Sequence, residues 1–285
     1  MTAADNPAAS AADRPAAEPA DEVTDRPASA LAEKAAELRR LHTAPELLVL
    51  VNVWDVASAR VVADLPGCRA LATASHSIAA SYGYPDGEVI PAELMIEAVG
   101  RIAAAVPLPV TADLEAGYGD IGETVRRAIG VGIVGANIED EMRPLDEAVA
   151  GVRAAVRAGE AEGVPFVLNA RTDAYLLGGD RDPADLLADA IERGRAFLDA
   201  GADCVFVPGR LDADTVRQLV AGIGERRMSV LGLPGTPPPR ELAELGVARV
   251  SFGPWSQRVA MTSLADVGTE LLAGDGIPTW ARNVS

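Results

Sequence analysis

Short β-rich apolar runs alternate with amphipathic stretches eight times along this chain of 285 residues. The strand candidates are Leu47–Val53, Ala70–Ala74, Val110–Leu114, Gly135–Glu139, Phe166–Ala170, Cys204–Val207, Ser229–Leu233 and Arg249–Phe252. Helical patterns lie between them, as at Pro91–Ala105, Ile121–Val131, Pro183–Ala200 and Ala213–Ile223. Strands that alternate with helices at this interval form parallel βαβ units. Eight such units in about 250 residues predict an α/β fold, a (β/α)8 TIM-type barrel.

The end of the first strand argues against the main alternative, a doubly wound open sheet. Such sheets usually carry a glycine-rich nucleotide-binding turn after their first strand. The corresponding segment here reads Val51-Asn52-Val53-Trp54-Asp55 and contains no such turn. The barrel is therefore the favoured fold.

The first 29 residues differ in composition from the rest of the chain. They consist mainly of Ala, Pro, Asp and Glu and contain few large apolar side chains. A segment of this kind buries too little apolar surface to fold, so residues 1–29 are predicted to form a disordered acidic tail. A single barrel domain is expected to span residues 30–285.

Charge and hydropathy narrow the range of partners. A formal net charge of −17 argues against binding to nucleic acid or to anionic lipid. A small anionic substrate stays compatible, because a metal ion and a few arginines can invert the field locally. The sequence has no apolar run long enough for a membrane span and no basic and apolar leader typical of secretion. Cys68 and Cys204 lie in apolar surroundings and resemble core thiols, which favours a cytoplasmic location.

Polar residues gather at the ends of successive strand candidates, where barrels of this type place their active sites. These ends carry Trp54-Asp55, Ser75-His76, Asp113 with Glu115, Glu139-Asp140, and Arg171 with Asp173. The strand starts carry no comparable cluster. Charges placed for solubility alone would not concentrate at one end of five successive strands.

Two carboxylates stand at i and i+2 where the third strand candidate ends, at Asp113 and Glu115. Side chains with that spacing point to the same side of a strand. Bare carboxylates held so close repel each other unless a proton or a divalent cation lies between them. With Glu139 they form an oxygen-rich cluster, and Mg²⁺ prefers one or two direct carboxylates with waters bridging to the rest. The sequence therefore predicts a Mg²⁺ site, in which Mn²⁺ could substitute, at Asp113, Glu115 and Glu139.

Arg171 is the cationic partner expected beside that cluster. Its planar fork of donors suits a carboxylate or a phosphonate of the substrate. A metal ion and an arginine around a small cavity suit an oxyacid that develops negative charge as it becomes an enolate during the reaction. The alternative for Arg171 is a purely structural ion pair with Glu139.

The segment from Ser75 to Asp86 is predicted to be a long loop of small and polar residues. Backbone N–H groups after a barrel strand can form an oxyanion pocket, over which Asp86 would lie from the far end of the loop. Asp86 is alternatively the aspartate of a Pro-Asp-Gly turn. His76 could act as a general acid, as a donor to the substrate, or in a structural role. His42 lies in the N-terminal helical segment and is given no catalytic role.

The ordered motifs resemble those of the isocitrate lyase/phosphoenolpyruvate mutase superfamily, with its phosphonomutase-like branch foremost. They are Asn52-Val-Trp54-Asp55-Val-Ala-Ser58-Ala-Arg60, Gly83-Tyr-Pro85-Asp86-Gly87, Asp113-Leu-Glu115-Ala-Gly117-Tyr118-Gly119, Asn137-Ile-Glu139-Asp140 and Ala170-Arg171-Thr172-Asp173-Ala174. The resemblance runs from about residue 47 to residue 261. It implies a barrel, Mg²⁺, and a C–C or P–C bond made or broken next to a 2-oxo acid or its enolate.

The resemblance also implies roles for individual residues. Asp113 would bind the metal directly, with Glu115 and Glu139 acting through waters. The amides of Ser75 and His76 would hold the oxyanion, Arg171 would bind substrate, and Asp86 matches an aspartate that takes part in the mutases' transfer chemistry. Trp54 is a further expected substrate-binding residue.

Arg258 is the expected substrate-binding residue on the far side of the pocket. The segments 231–239 and 252–258 should line that side, where Arg258 would hold a second carboxylate, unless it is a surface charge of the last helix. The superfamily commonly exchanges its last helix between subunits, so Pro254–Ala273 could serve that purpose in a homo-oligomer, a dimer or a tetramer.

The sequence departs from the family pattern after Asp140. Isocitrate and methylisocitrate lyases carry a Lys-Cys-Gly-His type loop there, whose cysteine is the general acid, and phosphoenolpyruvate mutases carry a lysine just after the proline. Here the segment reads Glu-Met-Arg-Pro-Leu-Asp-Glu over residues 141–147. Glu115 also stands where the family usually has Asp. Classical isocitrate lyase activity is therefore not expected, and a strict mutase assignment is weakened.

Three hypotheses follow from these observations. The first is a Mg²⁺-dependent lyase or phosphonomutase acting on a small 2-oxo acid, an enolpyruvate or a phosphonate. The second is an oxaloacetate-type decarboxylase, which needs a metal ion and an arginine but no loop acid. The third, a non-catalytic barrel that acts as a binding protein, is disfavoured by the retained acids and Arg171.

Overall fold

A computed structural model of the chain describes residues 26–282 and residue 284. Nine short parallel β segments form a single sheet in the order β1-β9-β8-β7-β6-β5-β4-β3-β2. They are β1 Leu48–Leu50, β2 Asn52–Val53, β3 Leu71–Thr73, β4 Val110–Asp113, β5 Gly135–Glu139, β6 Val167–Arg171, β7 Cys204–Val207, β8 Met228–Leu231 and β9 Arg249–Ser251.

β1 and β2 are two halves of one strand, interrupted only at Val51. β1 pairs with β9, in the register Leu48 to Arg249, and β2 pairs with β3, in the register Asn52 to Ala72. The first strand thereby joins both ends of the sheet. The result is the predicted eight-stranded α/β barrel, with all strands parallel.

Ten helices accompany these strands in the described part of the chain. They are α1 Arg26–Thr43, α2 Val56–Ala63, α3 Ser75–Ser81, α4 Ala92–Ala105, α5 Ile121–Gly130, α6 Leu145–Ala161, α7 Pro183–Asp199, α8 Ala213–Ile223, α9 Pro239–Glu244 and α10 Trp255–Ala273. Side chains of Asp120, Asp182 and Asp212 cap the N-termini of α5, α7 and α8, which fixes where these helices begin.

α1 covers the N-terminal end of the barrel. Arg39 forms an ion pair with Asp203, just before β7, at 2.8 Å, and also donates to the carbonyl of Phe166, just before β6, at 3.2 Å. Leu38 of the same helix is fully buried. α1 begins at Arg26, four residues before the expected domain start, and residues 1–25 of the predicted tail lie outside the described residues.

The predicted loop from Ser75 to Asp86 is wrong in its first half, which forms helix α3. The polar serines favour turns when they are considered alone. Ile78 and Ala79 are nevertheless fully buried against the core, and this tertiary packing overrides the local preference. Only the segment after Tyr82, with its Pro-Asp-Gly turn, is irregular.

The carboxyl ends of the strands face away from α1, and the polar residues predicted at strand ends lie at that side.

Within the described residues, no helix is both long and apolar enough to cross a lipid bilayer. Cys68 is half-buried and Cys204 is buried, and both thiols are free.

Candidate active site

A cavity of about 260 Å³ opens at the carboxyl ends of the strands. Six of the predicted site residues line it: Ser75, His76, Asp86, Asp113, Arg171 and Arg258. Glu115 and Glu139 are close to this group but do not line the cavity, and Trp54 does not line it either. The fold thus brings residues from five separate segments of the chain around one small space.

Asp113 is anchored through one carboxylate oxygen only. Its Oδ2 accepts hydrogen bonds from Ser75 Oγ at 2.8 Å and from the Ser75 amide at 3.3 Å. Thr73 Oγ1 holds the backbone of Asp113 by accepting from its amide at 3.0 Å. The other oxygen, Oδ1, is buried and has no hydrogen-bond partner among the described residues. A buried carboxylate oxygen without a hydrogen-bond partner destabilises the folded protein. A cation would supply the missing partner, so Oδ1 is an available ligand atom.

Glu115 lies behind Asp113 in a more enclosed position. Its backbone is left-handed, with φ of 52°, and only 3% of the residue is exposed. The amide of Glu88 donates to Oε2, while Oε1 is buried without a partner in the described chain. Burial, followed by the neighbouring charge of Asp113, raises the pKa of Glu115 to about 7.

Glu88 ties two loops of the site together. Its carboxylate accepts from the Tyr118 amide at 2.6 Å, in the Gly-Tyr-Gly turn after β4, and its own amide binds Glu115. The segment that carries Asp86 is thereby joined to the segment that follows Asp113. Sequence reasoning did not identify Glu88, although it directly follows the quoted Pro-Asp-Gly motif.

Arg171 bridges two acids at the end of β6. Its Nη1 lies 2.5 Å from Glu139 Oε2, and its Nε donates to Asp173 Oδ1 at 2.7 Å. Burial raises the pKa of Glu139 to about 8 in spite of the opposing charge of Arg171. Burial also raises the pKa of Asp173. Arg171 therefore makes the structural contact with Glu139 that was named as its alternative role, which becomes a full ion pair when Glu139 is ionised, and it borders the cavity as well.

The acid cluster fits a hard divalent cation by its chemistry. No group of three or more His, Cys, Asp or Glu side chains within the described residues is arranged as a ready metal cage. Mg²⁺ does not require one, since it is usually held by one or two carboxylates and keeps several waters. The two unpartnered buried oxygens, Asp113 Oδ1 and Glu115 Oε1, are carboxylate ligand atoms of the kind that Mg²⁺ prefers. The residues present therefore fit the ion.

His76 and Asp86 form a pair at the edge of the cavity. His76 Nδ1 lies 3.3 Å from Asp86 Oδ2, and both side chains are about half exposed. A carboxylate beside Nδ1 fixes the tautomer and leaves Nε2 to exchange a proton with a ligand. The structure thus brings together the two residues for which sequence reasoning left the roles open.

The remaining predicted substrate residues lie at the periphery. Arg258, in the first turn of α10, borders the cavity and stacks over Trp255 at 4.9 Å. Trp54 is half-buried just before α2, where its amide donates to Ser58 Oγ at 3.1 Å. In this structure Trp54 contributes to the start of α2 rather than to the cavity wall.

Several hydrogen bonds hold the turn after β5 in place. Arg193 of α7 donates to Asp140 Oδ2 at 3.0 Å and to the carbonyl of Arg143 at 2.9 Å. Asp140 Oδ1 also accepts from the amides of Met142 and Asp173, each at 3.0 Å. The turn is short, because α6 begins at Leu145. Arg193 has no motif signal, so only the fold could show that it fixes this segment.

A barrel that gathers acids and an arginine around a cavity at the carboxyl ends of its strands has the arrangement of an enzyme active site. The sequence profile described as phosphoenolpyruvate phosphomutase matches residues 38–272. The chain belongs to this family, within the isocitrate lyase/phosphoenolpyruvate mutase superfamily to which the motifs pointed.

Individual relatives cover most of the chain. The phosphoenolpyruvate phosphomutase of Streptomyces hygroscopicus is 30% identical over 84% of this chain and 80% of its own length. The oxaloacetate decarboxylase of Chromohalobacter salexigens is 30% identical over 76% of this chain and 78% of its own. The crystal structure of a provisionally assigned phosphonomutase from Burkholderia cenocepacia is 44% identical, with a TM-score of 0.79, and the match covers 83% of this chain and 99% of that one.

Proposed function

We propose that this protein is a Mg²⁺-dependent lyase that cleaves a bond next to a small 2-oxo acid and releases its enolate. The observation that carries this proposal is the arrangement of Asp113 and Arg171 around a cavity of about 260 Å³. That volume suits a substrate of a few carbon atoms. Relatives that act on phosphoenolpyruvate or oxaloacetate support an anionic substrate of this size.

Each residue has a role in this mechanism. Asp113 would hold Mg²⁺ directly, and Glu115 and Glu139 would act on its water ligands. When bound, the ion would supply Lewis-acid stabilisation of the developing enolate. Arg171, fixed by Glu139 and Asp173, binds the carboxylate of the substrate.

Proton transfer falls to the pair of His76 and Asp86. His76 stands at the cavity edge with Asp86 on Nδ1, so Nε2 can give a proton to the carbanion after bond cleavage or remove one before it. The turn after β5 offers no thiol, and its end is bound to Arg193. The general acid therefore comes from the α3 side of the cavity.

Decarboxylation of an oxaloacetate-type substrate is the second candidate, and the lack of a cysteine or lysine in the turn after β5 favours it. Loss of CO₂ leaves an enolate that needs the ion and Arg171 but no general acid placed on one defined face. Phosphoryl transfer within a phosphonate is supported less well, since Leu145 stands where the mutases have lysine. A non-catalytic barrel is supported less well, because the unpartnered oxygens of Asp113 and Glu115 lie beside Arg171 and the pair of His76 and Asp86, which a cation-binding protein does not need.

A substrate screen tests the proposal. Purified protein with Mg²⁺ is offered 2-oxo acids, malate derivatives and phosphonates, and pyruvate or CO₂ release is measured. Asp113→Asn should abolish the activity found, whereas the matched exchange Asp146→Asn, at an exposed site on α6, should not. Release of products at equal rates by both variants would contradict the assignment of Asp113.

We further propose that α10 packs on a second copy of this chain. None of its side chains is buried within the chain, and the apolar residues Val259 and Leu264 are more than 60% exposed. Apolar faces of this kind mark interaction surfaces. Leu264→Glu should convert a dimer or tetramer to monomer in sedimentation velocity, and an unchanged sedimentation coefficient would refute this role.

A further inference from the structure

Arg249 is a fully buried arginine within the barrel. It lies on β9, and 1% of its surface is exposed. Its Nη1 lies 3.5 Å from His42 Nε2, and Nε has no hydrogen-bond partner among the described residues. Within the described chain it forms no salt bridge with a carboxylate. Burial lowers its pKa to about 10, so the side chain remains charged at neutral pH. A buried charge that forms no salt bridge is destabilising, so Arg249 is expected to have a role in the site.

The other terminal nitrogen of Arg249 connects it to the cavity through Asn137. Arg249 Nη2 donates to Asn137 Oδ1 at 3.2 Å, and Asn169 Nδ2 donates to the same oxygen at 2.8 Å. Ser229 Oγ in turn donates to Asn169 Oδ1 at 3.0 Å. The four residues form a polar layer beneath the cavity floor.

These bonds orient the amide of Asn137. Arg249 has no acceptor atom, so a flipped Asn137 amide would place its NH₂ against the Nη2 donor of Arg249. The oxygen is therefore fixed toward the barrel interior. Asn137 lines the cavity, and its Nδ2 is the polar atom left to face the ligand.

Asn52, on β2, provides a contrast to Asn137. It also lines the cavity, but its Nδ2 donates to the carbonyl of Thr73 at 2.8 Å and its Oδ1 accepts from the Phe252 amide at 2.7 Å. Both polar atoms of that amide are therefore already hydrogen-bonded to the backbone. Asn137 differs because one end is held and the other is free for a ligand.

We infer that Asn137 is a substrate-binding residue that donates from Nδ2 to an anionic oxygen of the substrate, and that Arg249 is a positioning residue that fixes the amide from below. The positive charge of Arg249 also offsets part of the negative charge that an anionic substrate meets beside Asp113. This inference rests on the proposed function and adds a specificity element to the same site. The ligand class is a small planar dianion, such as a 2-oxo acid in its enolate form.

Asn137→Asp is the decisive variant. Aspartate keeps an oxygen for Arg249 and Asn169 and gives Arg249 a counter-charge, so the thermal midpoint should stay the same or rise. It removes the Nδ2 donor and presents negative charge to the ligand. The Kd for oxalate in the presence of Mg²⁺, measured by calorimetry, should rise at least tenfold. A merely structural role would couple stability and affinity, whereas here they should change in opposite directions.

Arg249→Met and Arg249→Lys test the positioning role. Methionine removes both the charge and the donor to Asn137 and should weaken oxalate binding, and lysine should restore part of the affinity. If the methionine variant does not fold, Asn137→Asp decides the question alone. An oxalate Kd within threefold of wild type in Asn137→Asp, or no oxalate binding by wild type, would overturn the inference. The proposed function fails separately, if wild type releases no product from any substrate in the screen.

Discussion

Raising the pH should destabilise the metal-free protein, because its site holds carboxyl groups that resist ionisation. The pKa of Glu139 is raised from 4.5 to about 8, chiefly by burial. In the unfolded chain this group loses its proton near pH 4.5, whereas the folded protein keeps it to about pH 8. The folded state therefore binds more protons in this window, and its stability falls as the pH rises through it.

The size of the effect follows from the shift. One pKa unit corresponds to about 1.4 kcal/mol, so ionisation of Glu139 across this window would remove at most a few kcal/mol of unfolding free energy, because Arg171 stabilises the ionised form. Glu115, with its pKa raised to about 7, acts in the same direction. Mg²⁺ would compensate the ionised acids, and its stabilising effect should therefore be larger at pH 9 than at pH 6.

Urea unfolding of the chelator-treated protein between pH 6 and pH 9, with and without MgCl₂, measures both effects. Glu139→Gln is the control that should reduce the pH dependence without metal and leave the part that is due to Glu115. Asp113→Ala should remove the stabilisation by Mg²⁺. A metal-free protein whose stability is constant or increases from pH 6 to pH 9 would refute the argument, and so would equal Mg²⁺ stabilisation of wild type and the Asp113 variant.

Other perturbations probe the remaining features. Arg171→Lys keeps the charge but loses the fork that spans Glu139 and the substrate, so most of the turnover should disappear, and near-wild-type rates would exclude the substrate role. Isocitrate and methylisocitrate should not be cleaved, since no thiol follows Asp140 and general acid catalysis contributes roughly 10²–10⁴-fold; glyoxylate release from isocitrate at about 1 per second or faster would refute this. His42 is buried, which lowers its pKa to about 3. Its contribution to stability should therefore be lost as the pH falls from 6.5, and His42→Gln should lose less stability than wild type between pH 6.5 and pH 4 in urea unfolding.

The sequence alone determined the barrel and the end of it that carries the site. Parallel strands buried on both faces must be apolar, so each one is visible as a short β-branched run followed by an amphipathic helix. Polar residues that end such runs at Asp113, Glu139 and Arg171 necessarily meet, because all eight strands point the same way. Motif order was enough to indicate the family.

Tertiary structure decided which polar atoms remain free for chemistry. The sequence could not show that α3 is a helix, since burial of Ile78 outweighs the local turn preference of its serines. It could not show that the side-chain oxygen of Asn137 already accepts a hydrogen bond, because the donor, Arg249, lies 112 positions away along the chain. Hydrogen bonds between distant residues depend on strand register and on packing in three dimensions, and they produce no periodic pattern in the amino-acid sequence.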